Sequence, residues 1–227
     1  MSGRLAVIGL GPGDARYLTQ EAREALDGAD ALYGYAPYLD RVPVRPNQTR
    51  HASDNREEGA RAQAALRHAA DGANVAVVSG GDPGVFAMAA SVLEAVESGP
   101  HAWRALDIAI VPGITAMLAV AARAGAPLGH DFCAISLSDL LTPWAAIERR
   151  LVAAADADFA IALFNPASER RRAPLARALA ILRARREADT PVVLARNLGR
   201  AGESVAARRK TFDTRAYSSC RSDSITT

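Results

Sequence analysis

Three short apolar runs in this chain each stop at a turn of small residues, and that repetition constrains the fold more than any other feature. Leu5-Ala6-Val7-Ile8 leads into Gly9-Leu10-Gly11-Pro12-Gly13-Asp14. Val75-Ala76-Val77-Val78 leads into Ser79-Gly80-Gly81-Asp82-Pro83-Gly84-Val85-Phe86, and Ile108-Ala109-Ile110-Val111 into Pro112-Gly113-Ile114-Thr115-Ala116. Short continuous apolar runs bounded by turn signals read as strands buried on both faces. Alanine-rich helical stretches follow the second and third loops directly and the first a few residues later. That order predicts a mostly parallel sheet covered by helices. Ligands of such sheets sit outside the carboxyl ends of the strands. The three loops should therefore meet where backbone comes close to something.

The alternation continues along the chain. Helices are expected at about 19–29, with Thr19 as N-cap, near 54–70, where Asp54 and Glu57 have almost the spacing of a capping box, and at 85–97 and 115–124. Strands are expected at 31–35, 74–79 and 107–111, while 37–50, rich in proline and arginine, reads as irregular. A second set begins near residue 130, with strands 132–137 and 159–164. Between them Thr142 offers a capping hydroxyl and Pro143 the first helical position. A helix over 172–187 and a strand over 191–197 complete the set. The reading is α/β, with two α/β domains of mostly parallel or mixed sheets, 1–113 and 114–227, and an active site in the cleft between them. From about residue 206 the chain looks atypical. Residues 217–227 contain one strongly apolar side chain, Ile225, and their serine-rich composition reads as disorder. A truncated or frame-shifted end is one explanation, with an unpaired sheet edge as its consequence.

Composition narrows the function classes. A net charge of +2 gives no support to a large nucleic-acid footprint. Lys210 is the only lysine, so the basic residues are almost all arginine. That is either a base-composition bias or a supply of planar forks suited to carboxylates. Cys133 and Cys220 form no metal or redox spacing, and no secretory signal is visible, which points to the reducing cytoplasm. The uncharged stretch 108–122 is broken by Pro112-Gly113 and is too short to span a bilayer. The four histidines are scattered, and no metal set is expected.

The glycine loops fit neither common phosphate cradle. A dinucleotide fingerprint needs G-x-G-x-x-G. Here Gly9, Gly11 and Gly13 alternate, Pro12 removes a donor, and Asp14 puts an anion where a pyrophosphate would sit. The Gly80–Phe86 segment lacks the Gly-Lys-Ser/Thr of a P-loop and carries Asp82, which suits a cationic or zwitterionic ligand better than a triphosphate. Asp82-Pro83-Gly84 alone is equally readable as a type II turn.

Taken in order, G-x-G-P-G-D, G-G-D-P and P-G-I-T-A resemble the tetrapyrrole (corrin/porphyrin) methyltransferase family over roughly residues 4–205. Finer motifs are Gly34-Tyr35-Ala36-Pro37-Tyr38, the segment 136–144, Phe164-Asn165-Pro166-Ala167-Ser168 and Arg196-Asn197-Leu198-Gly199-Arg200. They are similar to the branch of that family that methylates C17 of precorrin-3B, with ring contraction, in cobalamin biosynthesis.

The resemblance implies S-adenosylmethionine as methyl donor, S-adenosylhomocysteine as product, a small-molecule tetrapyrrole as acceptor, and a homodimer. It places the donor on Pro12, Gly80, Gly81, Asp82, Val85, Thr115 and Ala116, with Phe164, Asn165 and Asn197 from the second domain. Asp14, Ser138 and Asp139 are candidates to move a proton during ring contraction. Asp14 is equally a turn-capping carboxylate, and Asp139 a plain loop residue. Arg41, Arg45, Arg50, Arg196 and Arg200 are candidates for the acceptor's carboxylates, each also readable as ordinary surface. Other acceptors within the family stay open: cobalt-precorrins, neighbouring precorrins, ribosomal RNA or a translation factor. A tetrapyrrole binder without turnover also stays open.

Overall fold

The three apolar runs are adjacent parallel strands. The computed structural model describes residues 3–140, 142–166 and 173–208, and the chain divides into two compact units, Met1–Ala116 and Met117–Thr227. In the first unit, β1 (Arg4–Gly9), β2 (Ala31–Tyr35), β3 (Thr49–Ser53), β4 (Val75–Ser79) and β5 (Asp107–Val111) form one sheet in the order β3-β2-β4-β1-β5. All four pairings in it are parallel.

Successive side chains of a strand point to opposite faces, and each face has its own core. Leu5, Val7, Tyr33, Val75 and Val77 pack with α3 (Glu58–Ala70) and α4 (Met88–Ser98) through Ala62, Ala65, Leu66 and Val92. Ala6, Ile8, Leu32, Ala76 and Val78 pack on the other face with Ala22 and Leu26 of α1 (Gln20–Asp27) and Leu39 of α2 (Ala36–Leu39). The connections through α1 and α2 run toward β3, and those through α3 and α4 run toward β5. Right-handed crossovers in opposite directions must lie on opposite faces, and they do.

In the second unit, β6 (Phe132–Ser136) and β7 (Ala160–Phe164) are a parallel pair, while β8 (Val192–Arg196) and β9 (Ser204–Arg208) are antiparallel. Ile147 and Leu151 of α6 (Trp144–Asp156), with Leu175 and Leu179 of α7 (Ala173–Arg183), make its core with Ile135 and Leu137. The helix α5 (Ala116–Arg123) begins at the junction. No described helix is long and apolar enough to cross a membrane.

Several local expectations need correction. Thr19 caps α1 as expected, its hydroxyl accepting from Ala22 N–H at 3.1 Å. Asp54 does not cap α3, which starts at Glu58; the Glu57 carboxylate instead accepts from Asp54 N–H at 2.8 Å, half of a capping box. Pro143, not Thr142, occupies the N-cap of α6. Residues 37–50 are not irregular throughout, since they include most of α2 and the start of β3. The chain is not disordered from 206. Leu194 pairs with Ala206, Val193 with Ala207 and Val192 with Arg208, because a backbone ladder needs no large side chain. The expected tail over 209–227, with Cys220, and residues 167–168 of the Phe164 motif lie outside the described residues.

Candidate active site

Because β4, β1 and β5 are neighbours and parallel, their three loops emerge at one edge. The loops are tied to one another by backbone. Gly11 N–H donates to Gly81 O at 3.1 Å and Gly81 N–H to Gly11 O at 3.0 Å, an isolated antiparallel bridge. Both glycines have φ of 65°, the left-handed region that other residues avoid. A Cβ on Gly113 would stand 2.3 Å from Gly81 O, and one on Gly9 would stand 2.7 Å from Gly113 Cα. The close approach expected of these loops is thus, at Gly9 and Gly113, an approach to each other. Gly81 differs: a Cβ there would meet nothing nearer than Thr115 Cα at 3.7 Å.

Asp82 locks this arrangement. One carboxylate oxygen accepts from Gly84 N–H at 2.8 Å and the other from Gly113 N–H at 3.0 Å, joining the loop after β4 to the loop after β5. Val85 N–H closes the turn on Asp82 O at 3.3 Å. Gly84 is outside the positive-φ set, so the turn is not type II. Thr115 is buried, and Pro12 and Val85 are half-buried at the same edge.

Two of the arginines expected to face an acceptor, Arg41 and Arg50, are spent on backbone carbonyls, and Arg45 is held in an exposed ion pair. Arg41 Nη2 donates to three carbonyls of the first loop, Gly11 at 2.7 Å, Leu10 at 2.9 Å and Gly13 at 3.3 Å. Arg45 pairs with Asp27. Arg50 bonds the carbonyls of Leu39 and Val42. Asp14 caps the short 3-10 turn Ala15–Tyr17, accepting from Arg16 N–H at 2.8 Å. That hydrogen bond, ahead of the Arg16 charge, holds its carboxyl below the usual range. It is ionised near neutrality and poorly suited to donate a proton.

In the second unit, the parallel pairing of β6 and β7 puts the segment after Ser136 beside Phe164 and Asn165. Asn165, with φ of 50°, donates from Nδ2 to Ser136 Oγ at 3.0 Å, and Ser138 N–H donates to the same oxygen at 3.3 Å. Phe164 is buried, Ser138 half-buried and Asp139 exposed. Asn197, with φ of 51°, opens the turn between β8 and β9, where Arg200 N–H donates to its carbonyl at 2.9 Å. Arg196 and Arg200 are half-buried, and Arg200 Nε is buried without a hydrogen bond among the described residues.

Two groups escaped the sequence reading. Arg61 is 4% exposed. Its guanidinium donates to Ser53 Oγ at 2.8 Å, Asp54 O at 2.6 Å and Met88 Sδ at 3.2 Å. Burial lowers its pKa and raises that of Glu58. Its signal was available, since Arg61, Ala65 and Ala69 share the inward stripe of α3. The second group is Tyr33, stacked on His51 at 4.3 Å with its hydroxyl 3.2 Å from His68 Nδ1. Parallel register sets Tyr33 opposite His51. Among the described residues, no group of three or more His, Cys, Asp or Glu could hold a metal.

An open parallel sheet whose carboxyl edge is reduced to glycine backbone at three adjacent strands defines a ligand-binding α/β unit. Residues 4–212 match the model of one family of that architecture, Tetrapyrrole (Corrin/Porphyrin) Methylases. The chain is 57% identical over 206 residues to precorrin-3B C(17)-methyltransferase of Sinorhizobium sp., covering 91% of this chain and 81% of that one. It is 50% identical over 198 residues to the cobalamin biosynthesis protein CobIJ of Mycobacterium tuberculosis, covering 87% of this chain but only 38% of that longer protein. The crystal structure of the methyltransferase CobJ superposes with a TM-score of 0.88 at 48% identity, covering 91% and 86% of the two chains. This chain belongs to the tetrapyrrole (corrin/porphyrin) methylases.

Proposed function

We propose that this protein transfers a methyl group from S-adenosylmethionine to C17 of precorrin-3B, with contraction of the macrocycle, in cobalamin biosynthesis. The observation that carries the reading is the 57% identity to a precorrin-3B C(17)-methyltransferase over 91% of the chain. The carboxyl edge of the first unit fits the donor. A Cβ on Gly81 would stand at ordinary contact distance from Thr115 Cα and Ala116 N, so this turn presents backbone and no bulky side chain, and none of the described residues is a lysine. When bound, the donor supplies a methyl group already activated by positive sulfur. The protein's own task is then placement and exclusion of water. Pro12, Gly80, Gly81, Val85, Thr115 and Ala116 hold the donor, and Asp82 shapes its loop from beneath.

The assignments in the second unit belong to the same reading: Phe164, Asn165 and Asn197 for the donor, Ser138 and Asp139 for proton movement, and Arg196 and Arg200 for acceptor carboxylates. Arg41 and Arg45 are better used as internal ties, and Asp14 as a cap. The protein acts as a cytoplasmic homodimer in this proposal, which light scattering would test. Incubation with labelled donor and a panel of precorrins, cobalt-containing ones included, followed by mass analysis, tests the chemistry. The expected product is precorrin-3B heavier by one methyl group and ring-contracted. Label entering only a cobalt-precorrin, or none, would refute the acceptor assigned.

A further inference from the structure

Ser136 is the last residue of β6 and stands between Ile135 and Leu137, which are both buried in the core with α6 and α7. Side chains alternate along a strand, so the Ser136 hydroxyl lies on the other face, away from that core. Its partner in the parallel register is Phe164, the last residue of β7, and the ladder runs one bond further as Leu137 N–H donates to Phe164 O at 2.9 Å. Ser136 therefore sits at the carboxyl edge of this pair, the edge where parallel α/β sheets take their ligands.

Two groups converge on its oxygen. The Asn165 amide donates from Nδ2 at 3.0 Å and Ser138 N–H donates at 3.3 Å, both partly buried. A serine hydroxyl has two acceptor sites, and these two donors fill them. Asn165 reaches the oxygen by leaving the strand. Ile161 and Leu163 pack on the α6 and α7 core, and continued alternation would send residue 165 to the same side. A φ of 50° breaks the alternation there, in a left-handed conformation that asparagine adopts more readily than most residues. Strain of this kind persists only where the surroundings fix it, and the Ser136 oxygen is one group that does.

We infer that Ser136 is a positioning residue of the proposed methyltransferase site: its oxygen fixes the Asn165 amide and the 137–138 backbone in one arrangement, and binding of the methyl donor depends on that arrangement through Asn165. This rests on the proposed function, in which Asn165 meets the donor and Ser138 moves a proton. Ser136 itself need not touch either ligand; it acts by holding the Asn165 side chain in place. An amide without its acceptor samples other rotamers, and the cost of ordering it again falls on ligand binding.

A double-mutant cycle on Ser136→Ala and Asn165→Ala, read by calorimetry with S-adenosylhomocysteine, tests this. Each single change should weaken binding about five- to tenfold, the scale of one hydrogen bond. The double variant should bind no more than about twofold worse than the weaker single variant, because both changes remove the same contact. Thermal melts of the same samples separate the alternative, since a role confined to stability would move Tm alone. Unchanged binding in Ser136→Ala, or losses that multiply in the double variant, overturns the inference while the functional reading stands. Unchanged binding in Asn165→Ala overturns it as well, by removing Asn165 from the donor contacts. A wild type that binds no S-adenosylhomocysteine refutes the functional reading itself and shows before any variant is compared.

Discussion

Asp82 offers the sharpest test of how this edge is held together. Its two carboxylate oxygens accept from Gly84 N–H at 2.8 Å and Gly113 N–H at 3.0 Å. Hydrogen bonds to a charged group contribute about 1.5–3 kcal/mol each. The bond to Gly84 is solvent-exposed and counts at the low end, whereas the one to Gly113 is partly buried. Asp82→Ala removes both and should cost about 2–4 kcal/mol, which for a chain of this size lowers Tm by roughly 5–15 °C. Asp82→Asn keeps one carbonyl acceptor but turns an amide NH2 toward a backbone N–H, and should cost about half as much. Calorimetry gives the stability, and hydrogen exchange read at Gly113 should accelerate in both variants. Donor affinity should fall as well, because the loop it shapes is loosened. If Asp82→Ala loses donor affinity with Tm and exchange unchanged, the carboxylate is a ligand contact and not a tie between loops.

Two further outcomes follow from the same geometry. Gly113→Ala should be far more damaging than Gly81→Ala. The first sets a methyl 2.3 Å from a carbonyl oxygen, and the second has 3.7 Å of clearance and bears only the left-handed strain, about 1–2 kcal/mol; equal Tm losses in thermal melts would contradict this. The first unit should also lose stability under mild acid. Burial, and after it the nearby His68, lowers the pKa of His51 below its ordinary 6.5. The unfolded chain then takes up this proton at higher pH than the folded one. The stabilisation is fully present above 6.5 and is lost as pH falls through that value toward the folded pKa. His51→Asn should flatten the decline of Tm on acidification, and an unaltered decline would remove His51 as its cause.

The strands were the most legible part of this chain, for a physical reason. A run such as Val75–Val78 between glycine and small-residue turns has few options other than a strand covered on both faces, and β4 lies where the run predicts. Helix ends were less legible because they depend on caps. Residues 82–87 turn before α4 can begin, with Phe86 at φ of 51°, so the helix starts at Met88 and not at 85. The fate of the arginines was not legible at all. Arg41 and Arg50 end on backbone carbonyls, and a carbonyl is present at every residue and leaves no mark in the sequence. Arg61 did leave one, by its place on the inward stripe of α3.

The glycines carry the deeper lesson about the site. Sequence says that backbone comes close at Gly9, Gly80, Gly81 and Gly113 but cannot say to what. The structure divides them: Gly9 and Gly113 close on neighbouring loops, Gly80 on the Tyr38 ring, and Gly81 alone has room for a Cβ, at ordinary contact distance from Thr115 and Ala116. Three of the four therefore serve to assemble the edge, together with the Gly11–Gly81 bridge, Asp82 and Arg41. All of those ties are made within the first unit and need no ligand to form. A ligand meeting this edge finds its geometry already built, so less of the binding free energy is lost to ordering loops. For a methyl transfer governed by placement, that preorganisation is the contribution the fold can make. It explains why three loops distant in sequence are joined so tightly at the carboxyl ends of adjacent strands.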